Sequence, residues 1–214
     1  MTLQPMKLIL SLVLGMSLLA SAAEADQVLA FSSDSGETFT DAFEVNVGET
    51  VTVGLYLNEI GPGTILVDDG IVGLGLDLSF VADRGTISSA NPSSFFNVQN
   101  HDVRSATGFE WEYFEEANTG LRGSSVFLGS LDFASTQSGL TNFTISDRNI
   151  GSGLSSASWF TPDLGILDEN IFGAGATDTY SFSITASAIP EPSGAIVLAA
   201  IAGFGLMFRR DRKS

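Results

Sequence analysis

From Val51 to Leu57 the odd positions Val51, Val53, Leu55 and Leu57 are apolar, while Thr52, Gly54 and Tyr56 fall between them. An extended strand points successive side chains to opposite faces, so a period of two buries one face and leaves the other to solvent. Leu74, Leu76, Leu78 and Phe80 repeat the pattern, as do Tyr180, Phe182 and Ile184. Between the two ends of the chain, no window of about a dozen residues carries the 3.6 period of an amphipathic helix. Strands are expected over 27–32, 43–47, 50–57, 71–80, 108–114, 125–133, 141–146 and 179–185, with Gly, Asn and Asp marking the turns. A strand with one apolar face needs a second layer to cover it. The expected fold is therefore all-β, a two-sheet sandwich or jelly roll of about eight strands. Segments 86–98 and 149–178, rich in Ser, Gly, Asn and Asp, read as loops.

The two ends do not share this pattern. Lys7, the apolar run Leu8–Leu19 and the small residues up to Ala23-Glu24-Ala25 form a secretory signal peptide, with cleavage expected after Ala25 and Ala22 as second choice. At the other end stand Ile189, Pro190, Glu191, Pro192 and Ser193. An apolar stretch from Gly194 to Phe208 follows, then Arg209, Arg210, Asp211, Arg212, Lys213 and Ser214. Two prolines around Glu191 impose an extended segment, the shape in which proteases bind substrates. As a helix, residues 194–208 would span about 22 Å at 1.5 Å per residue. That suits a short single transmembrane helix, held with its basic tail on the cytoplasmic side. The organisation expected is 1–25 signal peptide, 26–188 exported domain and 189–214 sorting signal.

This terminal order of Ile-Pro-Glu-Pro-Ser, apolar run and arginine cluster resembles the PEP-CTERM sorting signal. The resemblance implies an exosortase and a signal peptidase as processing enzymes, and the membrane as an early partner. It also implies export through the Sec pathway, anchoring by the C-terminal helix, and a final place at the cell surface or in the extracellular matrix. In the exported domain, Val45-Asn46-Val47-Gly48-Glu49-Thr50-Val51-Thr52-Val53, Gly73–Phe80, Phe127–Phe133 and Leu140–Ile145 resemble, in order, the cohesin-like and carbohydrate-binding β-sandwich superfamily.

Charge and composition narrow the function. Between Asp26 and Ile189 there are 22 carboxylates against Arg84, Arg104, Arg122 and Arg148, and no lysine. Such a surface repels phosphate backbones, which excludes nucleic acid as a partner. The chain has no cysteine, so disulfides, thiolate chemistry and cysteine metal sites are absent. About 160 residues bury enough surface to do without such staples.

Few residues suggest chemistry. His101 is the single histidine and lies between expected strands, where a surface loop accounts for it. Asp34-Ser35-Gly36 has the form of half an aspartic-protease site, and the second half is missing. In Glu110-Trp111-Glu112-Tyr113-Phe114, strand parity puts Trp111 and Tyr113 on one side and the glutamates on the other. The aromatic side fits a core; the competing reading is a glycan-binding face made of Trp111, Tyr113 and Trp159. Glu110 and Glu112 are a remote candidate for a glycosidase pair. Asp68-Asp69, and the group Asp163, Asp168, Glu169 and Asn170, offer oxygen ligands for Ca²⁺ without the alternating acidic loop of an EF-hand. No cofactor is expected. The chain reads as a non-enzymatic structural or adhesive protein of an exopolysaccharide matrix or biofilm, the alternative being a carbohydrate-binding module.

Overall fold

The structure is a computed structural model and describes residues 26–81, 83–148, 158–163 and 165–189. Ten strands run in chain order: β1 (Asp26–Ser32), β2 (Ala42–Asn46), β3 (Thr50–Ile60), β4 (Gly73–Phe80), β5 (Gly85–Pro92), β6 (Val98–Ser105), β7 (Gly108–Phe114), β8 (Ser125–Ser135), β9 (Gly139–Asp147) and β10 (Tyr180–Ser187). They form a four-stranded sheet in the order β1-β3-β8-β5 and a six-stranded sheet in the order β2-β10-β9-β4-β7-β6. Strand pairs are antiparallel except β2 with β10, which run parallel. Two short helices, α1 (Ile65–Asp68) and α2 (Asp168–Phe172), lie in the connections.

The alternation in the sequence becomes the core directly. Leu29 and Phe31 of β1, Val53, Leu55 and Leu57 of β3, and Leu131 and Phe133 of β8 point inward from one sheet. Leu74, Leu76, Leu78, Trp111, Phe143, Ile145, Phe182 and Ile184 meet them from the other. Aromatic rings fill much of the gap: Phe143 and Phe182 stack at 4.5 Å between centroids with planes 3° apart, and Phe31 leans on Phe182 at 4.8 Å. Such ring pairs add about 0.5–1.5 kcal/mol each beyond the area they bury.

Three expectations need correction. Strands β5 and β6 occupy stretches without apolar alternation, so the count is ten instead of about eight. Each lies at a sheet edge with a single partner, β5 on β8 and β6 on β7. An edge strand needs little apolar surface, and Ser88, Ser89, Asn91, Gln99 and Asn100 serve well enough. Residues 158–163 and 165–176, read as a loop, are built into the core: Trp159, Leu167, Ile171, Phe172 and Ala176 are all buried. Finally, the transmembrane helix is withdrawn. No helix among the described residues is long and apolar enough to cross a membrane, and the span expected at 194–208 lies outside the described residues. With it go the membrane as partner, the exosortase scheme and anchoring by a C-terminal helix.

Candidate binding faces

The outer face of the six-stranded sheet carries a cluster of charges. Strand parity turns Asp77 of β4 and Glu110 and Glu112 of β7 away from the core; His101 of β6 stands opposite Glu112, and Val103 opposite Glu110. Arg148, just past β9, reaches across them. Its Nη2 lies 3.2 Å from His101 Nε2 and 3.6 Å from Glu110 Oε2, and its Nε lies 3.6 Å from Asp77 Oδ1. His101 Nε2 is also 2.9 Å from Glu110 Oε2. One ring nitrogen cannot accept from Arg148 and donate to Glu110 at once, so the tautomer with hydrogen on Nε2 selects Glu110 and the other selects Arg148. His101 is thus a strand residue in an ion cluster, and not the loop histidine expected from sequence.

Asp77 Oδ1 and Arg148 Nε are both buried and make no hydrogen bond among the described residues. Burial pushes the Asp77 carboxyl up to about 6, outweighing the pull of Arg148, while Glu110 adds repulsion. A carboxyl with a folded pKa above its ordinary 3.8 favours the protonated folded state. Its stabilising effect is complete below about pH 4 and is lost as pH rises through about 6. Asp77→Asn is therefore expected to raise stability most at neutral pH, with the gap to wild type closing below about pH 4. Thermal melts of both proteins from pH 4 to 8 check this; a gap that widens toward acid would refute it.

At the edge of the same sheet, Asp102 accepts from Tyr113 Oη at 2.5 Å and from Arg104 Nη2 at 2.6 Å, while Arg104 Nη1 donates to Asn91 Oδ1 of the other sheet at 3.3 Å. The guanidinium and the tyrosine hydroxyl hold the Asp102 carboxyl below its usual range. These bonds tie β6 to β5 across the gap between the sheets.

Beyond Asp147, Ser158–Phe160 takes the place of β9 beside β4. Val72 N donates to Phe160 O, and Trp159 Nε1 donates to Gly75 O at 2.6 Å. Gly75 is required by the close approach: a Cβ there would stand 2.2 Å from Ser158 Cβ. Buried Asp168 ties the segment down, accepting from Ser158 N at 2.8 Å, Trp159 N at 3.2 Å and Ser158 Oγ at 3.2 Å. The competing reading of Trp111, Tyr113 and Trp159 as a glycan-binding face does not fit their burial. Trp111 and Trp159 are wholly enclosed and Tyr113 nearly so, because their strand parity and the fold of 158–176 turn them inward.

The four-stranded sheet presents Phe127 instead, 40% exposed, with Phe39 of the loop after β1 exposed nearby. Tyr56 of β3 sits beneath Phe39 and beside Phe127 of β8, with ring centroids 5.4 and 5.2 Å away. A bulge in the β3–β8 pairing skips Leu128. It brings Phe127 and Ser130, three residues apart, to the same outer face, which an unbroken period of two forbids. The loop after β1 is fixed by Asp34, whose Oδ1 accepts from Ser32 Oγ at 2.6 Å and from Thr38 N at 2.9 Å, and whose Oδ2 accepts from Thr38 Oγ1 at 2.6 Å. The Ser32 and Thr38 bonds lower the Asp34 carboxyl to about 2. Asp34 is a turn-forming residue here, which accounts for the Asp-Ser-Gly string.

Three members of the acidic sets read as calcium candidates already have partners. Asp68 Oδ2 accepts from Thr64 Oγ1, Asp168 faces inward, and Glu169 Oε1 accepts from Gly175 N. Among the described residues, no group of three or more His, Asp or Glu side chains is placed to hold a metal ion. The sorting-signal residues Pro190, Glu191, Pro192 and Ser193, the basic tail Arg209, Arg210, Arg212 and Lys213, and the cleavage residues Ala23 and Ala25 lie outside the described residues.

No protein-family model and no curated protein matches the chain. Solved structures do. A type I cohesin of Clostridium thermocellum, solved in complex with a dockerin, is 8% identical over 77% of this chain and 99% of its own, with a TM-score of 0.50. A cohesin of Clostridium acetobutylicum is 13% identical over 76% of this chain and 91% of its own at a TM-score of 0.48, and a non-cellulosomal cohesin of Archaeoglobus fulgidus is 10% identical over 81% and 96% at 0.44. At this identity the likeness shows the fold alone: the described domain is a cohesin-like β-sandwich.

Proposed function

We propose that this chain is an exported adhesion module that engages a protein partner through the outer face of its six-stranded sheet. The domain is non-catalytic. The observation that carries the reading is the half-buried cluster of Asp77, Glu110, His101 and Arg148, in which two polar atoms are buried without hydrogen bonds. Exposed Val98 and Val103 flank it. Partly desolvated charges beside apolar groups are what a partner can complete, with the charges setting orientation and specificity. The solved cohesin with a TM-score of 0.50 is itself held in a complex with a dockerin, which supports a binding role for the sandwich without naming the partner here.

The terminal segments belong to the same proposal. Residues 1–25 act as a cleaved leader, and Ile189–Ser193 as a site of proteolytic processing. One experiment addresses both parts. The protein is recovered from its host, its intact mass is measured, and its capture of host extracellular proteins is compared with that of Glu110→Lys/Glu112→Lys. A mass beginning at Asp26 and a capture several-fold weaker in the variant, and weaker at high salt, are expected. An uncut beginning would overturn export, and unchanged capture would overturn the face.

A further inference from the structure

The outer face of the four-stranded sheet has no part in that reading. A hollow of about 340 Å³ lies on it, and a second of about 470 Å³ adjoins it at the sandwich edge, where Glu44, Asn46 and Ser187 of the other sheet complete its lining; Ser33 and Thr52 line both. Each falls within the roughly 300–1,000 Å³ that small-molecule sites occupy. The smaller has an aromatic floor, Tyr56 and Phe127, and owes its depth to Gly54, since a Cβ there would stand 2.9 Å from Tyr56 Cε2 and 3.5 Å from Phe127 Cε2. Phe127 is 40% exposed and Phe39, on the other side of Tyr56, is 42% exposed.

Around this floor stand short hydroxyls. Thr52 Oγ1 donates to Asp132 Oδ1 at 2.6 Å, which leaves its lone pairs outward. Ser33, Ser35 and Ser130 line the same hollow, and their side chains take no part in the hydrogen bonds found among the described residues. The acidic groups at hand are Asp34, Asp132, and Glu44 and Glu49 of the larger hollow; none of the four arginines lines either. An anionic ligand would be repelled.

We propose that this face is a binding site for a neutral polysaccharide, with the C–H face of one sugar ring stacked on Phe127, which buried Tyr56 backs from below, and its hydroxyls bonded to Ser33, Ser35, Thr52 and Ser130. A ring with one apolar face and a polar rim matches a floor of aromatics inside a rim of hydroxyls. The continuity of the two hollows extends the site along a polymer, the second carrying the next residues past Asn46 and Glu49. A protein hot spot would need large side chains in a dry pocket; this one is rimmed by serines and open to water.

The test is native electrophoresis of the full chain through gels containing a mixed-linkage β-glucan, a galactomannan, a xylan or the anionic polymer alginate. Retardation by at least one of the three neutral polymers is expected, with none by alginate. Phe127→Ala should weaken it at least tenfold, and Ser130→Lys, which fills the hollow from a second position on β8, should do the same. Both positions face outward, and unchanged melting curves certify the fold; if one variant melts early, the other decides. Migration unaffected by all three neutral polymers would overturn the proposal. So would retardation that survives both variants, equal retardation by alginate, or a doubled native mass that Phe127→Ala abolishes, which would assign the face to a second copy of the chain.

Discussion

Replacing Asp168 with alanine is expected to lower the unfolding free energy by about 3 kcal/mol, because it orphans two buried backbone N–H groups at roughly 1–3 kcal/mol each. The acceptors lost are those of Ser158 N and Trp159 N. Ser158 Oγ keeps Asp147 Oδ1 at 2.7 Å, so the hydroxyl adds little to the loss. All of these groups are enclosed: Asp168 is 2% exposed, and Ser158 and Trp159 are fully buried. The effect should also be local. Freed from Asp168, Ser158–Phe160 would loosen from β4, and exchange protection should fall first at Val72 N, which donates to Phe160 O. Urea titrations with hydrogen exchange measure both; a loss under about 1 kcal/mol would mean that water reaches the two N–H groups easily.

Trp111→Ala is expected to cost about 3–5 kcal/mol, the range for removing a large aromatic from a filled core. Trp111 is fully buried, stacks on Phe109 at 4.0 Å between centroids, and faces Gly129 of the opposite sheet across the core. The same substitution should leave polysaccharide retardation unchanged wherever the variant is still folded, since Trp111 lies on the inner side of β7 and Phe127 on the outer side of β8. Trp111→Phe should recover most of the loss. Its buried Nε1 has no hydrogen-bond partner among the described residues, so the change also deletes an unsatisfied donor. Melting temperatures of the two variants test this; an alanine variant as stable as the phenylalanine one would show that the site collapses without cost.

What could be read in the sequence divides along physical lines. Strands β3, β4 and β10 were legible because their large apolar side chains alternate along one face, and parity alone placed Val53, Leu76 and Phe182 inward. The same parity argued for Trp111 and Tyr113 in the core. Strands β5 and β6 were hidden because an edge needs hydrogen bonds more than apolar side chains. Trp159 and Asp168 were hidden for another reason. Their burial depends on a stretch with little regular structure that replaces β9 beside β4, and no local period encodes that. The binding faces depend on juxtaposition: Arg148 meets Asp77 from just past the end of β9, and Phe127 shares a face with Ser130 only through a bulge. Tyr56 was legible as outward, but its aromatic neighbours were not.

The parallel pairing of β2 with β10 has a mechanical consequence. β10 is flanked on both sides, with seven residue pairs to β9 and five to β2. Tension drawn along its length would have to shear two ladders together, where a strand at an edge could be peeled away one bond after another. For a body that grips one thing while being pulled by another, that arrangement puts the load where the sandwich resists it best.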